Sequence, residues 1–251
     1  MEGYTSQSYG AAFADVYDEW YAGISDAEVS ADVIVELARS TSGERRPRVL
    51  ELGVGTGRLA VPIAARDVDV VGADTSPEML ARLAARDPAG TVTAVLGDMV
   101  DDLPEGPFDV VLVAYNTLFN LETEERQRAC FAAVAARLVL GGAFVVEAFV
   151  PEDPPRSGTV VTVRSMSSHD VVLSISEHDP ERQRAFGHFV SFVDGERVRL
   201  RPWAVRYAPP SELDGHAEAA GFVVADRWED FDRHPFEDTS PRHVTVYALS
   251  R

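Results

Sequence analysis

Residues 49–57 read V-L-E-L-G-V-G-T-G, an apolar run that breaks into three alternate glycines, Gly53, Gly55 and Gly57. No other stretch restricts the fold so tightly. A buried strand must end there and turn sharply into a helix, because glycine alone adopts positive φ freely and lets the backbone come close to a ligand. The spacing restricts the ligand as well. A dinucleotide fingerprint, G-x-G-x-x-G, would place its third glycine where Arg58 stands. Glu51 instead lies two residues before the first glycine. A loop that cradles a pyrophosphate has little use for that carboxylate, whereas a loop that faces a cation does.

From residue 49 onward apolar runs alternate with helical segments, the pattern of a parallel sheet wrapped by helices. The pattern predicts strands at 48–52, 68–73, 91–96, 108–113 and 143–149, with helices at 58–66, 77–86 and 123–138. Ser76 and Pro77 suit the cap and first position of the second of these helices. Gly141-Gly142 is expected to stop the third helix ahead of the fifth strand. A proline-rich exit at 151–155 then leads to β-branched, alternating segments at 159–165, 171–177, 185–193 and 196–207, with a turn at Asp194-Gly195. These predict an inserted antiparallel meander. A helix from Pro209-Pro210-Ser211 to Ala220 and strands at 222–226 and 243–249 complete the sheet, and two helices at 9–22 and 26–40 precede it. The chain therefore divides into a helical lid (1–46), a cofactor-binding core (47–150), an insert (151–208) and the end of the core (209–251).

The formal charge of −18 argues against nucleic acid, whose binding depends on Lys and Arg at phosphates. No apolar run approaches membrane-spanning length and the N-terminus lacks a basic-then-apolar pattern, so neither a leader nor an anchor is expected and the protein is expected to be cytoplasmic. The single cysteine, Cys130, lies among small and apolar residues and reads as core. His169, His178, His188, His216, His234 and His243 show no metal-ligand spacing, and no metal is expected. His234 falls between the last two strands, near the rim.

Open parallel sheets bind ligands beyond the carboxyl ends of their strands. Acids stand at three such ends: Glu51, then Asp74 in G-A-D-T-S-P-E-M, then Asp98 in G-D-M. Asp74 can accept both hydroxyls of a ribose, a role that fits NAD equally well. Asp98 can face the exocyclic amine of adenine with Met99 beside the ring, and a dinucleotide enzyme has less reason for this second acid.

The octet L-E-L-G-V-G-T-G resembles the first motif of the class I S-adenosylmethionine-dependent methyltransferases. The run Tyr17-Asp18-Glu19-Trp20-Tyr21, the segment N-T-L-F-N-L at 116–121 and the order of elements resemble the N-methyltransferases of lincosamides and deoxyaminosugars in antibiotic pathways. The resemblance implies a Rossmann-like, seven-stranded α/β sheet with an N-terminal helical lid, and S-adenosylmethionine as cofactor. It implies cofactor contacts from Tyr17, Glu51, Gly53, Gly55, Gly57, Asp74, Thr75, Met79, Asp98, Met99 and Tyr115. Tyr9 and Tyr17 would be the catalytic residues at the methyl group, and Asn116, Phe119 and Asn120 would bind a small-molecule acceptor. An amine nitrogen of a natural-product intermediate, lincosamide-type first, is the leading acceptor. A sugar or natural-product hydroxyl and a non-catalytic nucleotide-binding module remain open, as does an NAD-dependent oxidoreductase on the residues alone. Alternating Phe186, Phe189, Val190 and Phe192 in the insert predict a homo-oligomer assembled through that meander.

Overall fold

The computed structural model describes Met1 and residues 3–250. Its centre is a mixed sheet of seven strands. Five run parallel: β1 (Arg48–Leu52), β2 (Asp69–Asp74), β3 (Val92–Leu96), β4 (Phe108–Val113) and β5 (Leu138–Phe149). The insert supplies β6 (Gly158–Met166), β7 (Asp170–Asp179), β8 (Arg184–Val193) and β9 (Arg199–Arg206), and the chain returns to the sheet as β10 (Phe222–Trp228) and β11 (Arg242–Leu249). The order across the main sheet is β10-β11-β5-β4-β1-β2-β3. Every residue of β4 is buried, as a central strand covered on both faces requires.

Side-chain alternation sorts the core into two layers. Val49, Val110, Leu112 and Val145 face α3 (Ala27–Ser42) and α4 (Ala60–Ala64), together with Leu83 of α5 (Pro77–Arg86). Leu50, Leu52, Val111, Val113 and Phe144 face α6 (Glu124–Ala135) and α7 (Pro210–Ala219). Ser76 caps α5 by accepting from the Met79 amide at 3.2 Å. Cys130 lies in the second layer, its thiol pushed up to about 12 by burial. No helix among the described residues is long and apolar enough to cross a membrane.

Two expected boundaries move. Helix α6 ends at Ala135, and Gly141-Gly142 falls inside β5 instead of before it. Pairing with β4 slips there, from Phe108↔Leu138 to Val110↔Ala143, and Gly141 takes φ +80 within the slip. The glycines make a bulge, not a cap. The helix expected at 9–22 is two short pieces, α1 (Ser8–Phe13) and α2 (Tyr17–Trp20). One unbroken helix would put Asp15 and Asp18 on the same face. The break lets Asp15 pair with Arg199 (2.9 Å) and Arg201 of the insert, while Asp18 turns to Thr56 (2.6 Å) and Arg86 (2.7 Å) of the core.

The insert forms its own four-stranded antiparallel sheet, β6-β7-β8-β9. Phe189 on its inner face meets Phe13 and Trp20 edge-on, with centroids at 5.8 and 5.5 Å. The insert thus folds back over the N-terminal segment and the carboxyl edge of the main sheet.

Candidate active site

The loop after β1 is shaped by its glycines. Gly53 takes φ +66, and a Cβ on it would lie 2.3 Å from Thr117 Cγ2. Gly57 packs helix α5, since a Cβ there would lie 2.2 Å from Leu83 Cδ1. Gly57 therefore spaces the loop from the helix, and it is not among the residues lining the cleft that Gly53 and Gly55 border. The Gly53 and Val54 amides both donate to the Ala73 carbonyl, at 2.8 and 3.0 Å, locking the loop against the end of β2.

Beyond those strand ends lies a cleft bordered by Tyr9, Tyr17, Gly53, Gly55, Asp74, Thr75, Met79, Asp98, Met99 and Asn120. Tyr4, Ser6 and Thr117 border it too. Asp74 accepts from the amides of Gly55 (Oδ2, 2.9 Å) and Ser76 (Oδ1, 2.8 Å). Burial raises its pKa, and those amides, with that of Thr75, work against the rise. The Thr75 hydroxyl donates to the Ser6 carbonyl at 3.0 Å and so ties the cleft to the N-terminal segment. Asp98 uses Oδ1 for Arg126 Nη2 (2.6 Å) and for the amide of Val100 (2.8 Å). The enclosed space is about 90 Å3, well below the roughly 300 Å3 or more of ordinary ligand pockets. The N-terminal segment is closed down on the loop.

One end of the cleft carries an aromatic and charged cluster. The Tyr9 hydroxyl donates to that of Tyr21 at 3.3 Å, Tyr17 lies 4.9 Å from Tyr21 between centroids, and Tyr115 meets Tyr21 edge-on at 5.5 Å. Burial raises the pKa of Tyr9 and of Tyr17 and pushes Tyr115 up to about 12. All three phenols stay protonated at neutral pH. Glu51 lies behind them, buried; desolvation pushes it up to about 8, against the pull of Arg58. Its Oε2 is buried without a hydrogen-bond partner. A buried, unpaired carboxylate oxygen calls for a donor, and a ligand ammonium would supply one.

Two residues of this cluster escaped the sequence reading. Glu147, in the middle of β5, is buried and accepts from the Tyr115 amide at 2.8 Å. Its signal was a lone acid inside the apolar run 143–149, a placement that is costly unless the acid has a partner. Arg58 donates to Ser25 Oγ at 2.9 Å, and its charge pulls down the pKa values of Tyr17, Glu51 and Glu147 against their burial. In the sequence Arg58 reads only as a missing glycine.

The residues expected to hold an acceptor divide. Asn120 borders the cleft. Asn116, at φ +64, accepts from the Phe149 amide through Oδ1 at 2.7 Å and so pins the end of β5. Phe119 is fully buried and packs edge-on against Phe149 at 5.0 Å; it backs the pocket wall and does not form it, because the turn that carries it points into the core. His234 borders neither the cleft nor the larger cavity beside it. It groups with the exposed Asp232 and the half-buried Asp230, which already engages His234 Nδ1 (2.9 Å) and Arg242 (3.2 Å).

Residues 49–142 match a methyltransferase-domain family model. The cypemycin N-terminal methyltransferase of a Streptomyces species is 34% identical over 110 residues, 44% of this chain and 45% of that protein. The matches to curated relatives span about half of those proteins' length. Among solved structures, the CcbJ methyltransferase from Streptomyces caelestis has a TM-score of 0.90 at 36% identity, over 99% of this chain and 100% of that one. An amino pentose methyltransferase from Micromonospora echinaspora involved in calicheamicin biosynthesis, solved with S-adenosylmethionine, has a TM-score of 0.70 at 23% identity over 93% and 96%, a likeness of fold.

Proposed function

Because the chain belongs to the S-adenosylmethionine-dependent methyltransferases, we propose that it methylates an amine nitrogen of a small natural-product intermediate, with lincosamide-type amines the first acceptors to test. The observation that carries this reading is the pair of half-buried tyrosines, Tyr9 and Tyr17, bordering the same cleft as Asp74 and Met99. The cypemycin relative acts, by its name, on an N-terminus, which is also an amine.

The cofactor, when bound, supplies a methyl group on a sulfonium already activated for displacement. This chain's residues then have four tasks. Glu51 and Arg58 hold the charged aminocarboxypropyl end, Asp74 accepts from the ribose hydroxyls, and Asp98 with Met99 holds adenine. Tyr9 and Tyr17 exclude water from the reacting end and align the acceptor. Alignment at near-attack distance supplies most of the rate enhancement in such a displacement. An ammonium must shed a proton before its lone pair can attack. Protonated phenols do not take that proton as bases; their oxygens accept a hydrogen bond from the acceptor's N–H and orient it while the proton passes to water.

The test is a transfer screen with deuterium-labelled methyl donor over amine-bearing and hydroxyl-bearing natural products. Products methylated at nitrogen support the reading; products methylated only at oxygen or carbon overturn it. On the acceptor found, Tyr9→Phe and Tyr17→Phe should each lower turnover by roughly tenfold or more, the loss expected of one orienting hydrogen bond, with the melting temperature little changed. Full turnover in both variants would reduce the stripe to packing.

A further inference from the structure

The ladder between β4 and β5 last pairs Val113 with Val146. Just past that point the chain makes a turn that its residues do not favour. Tyr115 takes φ +43 and Asn116 φ +64, two left-handed residues in succession, neither of them glycine. Such a conformation is strained for an L-residue, most of all a bulky one, so contacts from outside the turn must hold it. Asn116 is held twice: its amide donates to the Glu147 carbonyl at 3.0 Å, and its Oδ1 accepts from the Phe149 amide at 2.7 Å. Tyr115 depends on a side chain. Its amide donates to Glu147 Oε2 at 2.8 Å, which is the one hydrogen bond of the Glu147 side chain among the described residues.

A wall of the cofactor cleft hangs on this turn. Thr117 and Asn120, the two ends of the single 3-10 turn that follows, both border the cleft. Thr117 lies so close to the glycine loop that a Cβ on Gly53 would sit 2.3 Å from its Cγ2. Tyr115 itself meets Tyr21 edge-on, and the Tyr21 hydroxyl accepts from Tyr9. Glu147 is buried and does not border the cleft. A buried carboxyl is costly, and a single bond to an amide offsets only part of that cost.

We infer that Glu147 is a positioning residue: by accepting from the Tyr115 amide it holds the left-handed turn, and so fixes Thr117 and Asn120 against the loop that receives S-adenosylmethionine. The role belongs to an acceptor oxygen at that reach, not to the negative charge.

Three substitutions separate reach, charge and bulk. Glu147→Gln keeps an acceptor oxygen at the same reach and drops the charge. Glu147→Asp keeps the charge and withdraws it by one methylene. Glu147→Met keeps the length and offers no oxygen. Affinity for S-adenosylhomocysteine is measured by calorimetry, and the Tyr115 amide is followed by NMR in protein carrying isotope-labelled tyrosine. The chain has seven tyrosines, and the Tyr115 signal is the one that Tyr115→Phe removes. Glu147→Gln should retain wild-type affinity with the Tyr115 amide still hydrogen-bonded. Glu147→Asp and Glu147→Met should each bind roughly tenfold more weakly, the order expected of one lost hydrogen bond, with the Tyr115 signal moved to the position of a free amide. Wild-type affinity in Glu147→Asp or Glu147→Met, loss in Glu147→Gln, or a Tyr115 signal that stays put while affinity falls overturns the inference. The Gln and Asp variants decide the point alone if Glu147→Met does not fold. Neither readout needs an acceptor, so the outcome is independent of which atom is methylated.

Discussion

Asp18 and Thr56 join the N-terminal segment to the glycine loop: the Thr56 hydroxyl donates to Asp18 Oδ1 at 2.6 Å. Arg86 reinforces the contact, 2.7 Å from the same oxygen. The cleft beneath encloses only about 90 Å3, and this contact is expected to open as cofactor enters. Asp18→Ala should raise both association and dissociation rates of cofactor by roughly five- to tenfold, the worth of a half-exposed charged hydrogen bond. Stopped-flow fluorescence of Trp20 reads this directly. Unchanged rates would mean that entry follows another route.

Asp74 is the proposed acceptor of the ribose hydroxyls. Its two oxygens are oriented by the Gly55 and Ser76 amides, so a ribose would meet a fixed acceptor. Asp74→Ala should weaken S-adenosylmethionine binding by ~1.5–3 kcal/mol, one to two powers of ten. Asp98→Ala should cost less, since Oδ1 of Asp98 is already committed to Arg126. Calorimetry showing wild-type affinity in Asp74→Ala would displace the ribose from this position.

Glu51 is expected to make cofactor binding depend on pH. Its folded pKa, about 8, lies above the usual carboxylate value because burial disfavours the charge. A ligand ammonium beside it would stabilise the carboxylate and release a proton. Affinity should therefore rise with pH, by at most about tenfold per unit for one proton, and level off near about 8, where the carboxyl ionises without the ligand. Calorimetry in buffers of different ionisation enthalpy counts that proton, and Glu51→Gln should abolish the count. Stability runs the other way. The folded state holds the Glu51 proton that the unfolded chain gives up, so this group's contribution falls as pH rises from the usual carboxylate range to about 8 and is constant above it. Identical proton release in wild type and Glu51→Gln would place the ammonium elsewhere.

The edge strands of the insert expose several large apolar side chains. Val161, Val163 and Met166 on β6 and Leu200 on β9, the two edge strands of the insert sheet, are 59%, 60%, 73% and 60% exposed. Apolar patches of this kind mark association sites. A homo-oligomer through this face is expected, and Val163→Asp with Leu200→Asp should reduce it to single chains. Light scattering giving the mass of one chain for the wild type at micromolar concentration would remove the oligomer. The surface differs from the one that sequence suggested: Val190 is buried and Phe189 is spent on Phe13 and Trp20.

What was legible in the sequence follows from how local each signal is. The glycine loop and the strand-end acids Asp74 and Asp98 declare themselves, because strand, turn and helix periodicity fix where each strand ends. β4 and α5 match to the residue for the same reason. The break between α1 and α2 was not legible. Tyr9, Phe13, Tyr17 and Trp20 keep helical spacing across it, and the interruption comes from ion pairs with residues far along the chain. Phe119 was misplaced because an aromatic after a strand end has the same local signature whether it faces solvent, ligand or core. Glu147 was legible and passed over, an acid in a buried strand being itself a signal of partnership.

The break between Asp15 and Asp18 also governs how such a protein can be recombined. Residues 8–20 grip the insert with one carboxylate and the glycine loop with the other. A chimera that imports a foreign segment 151–208 would leave Asp15 without Arg199 and Arg201 and loosen, through the same short stretch, the hold on the cofactor loop. The insert and the glycine loop are thus not separable parts, and a graft of the insert has to carry the N-terminus with it.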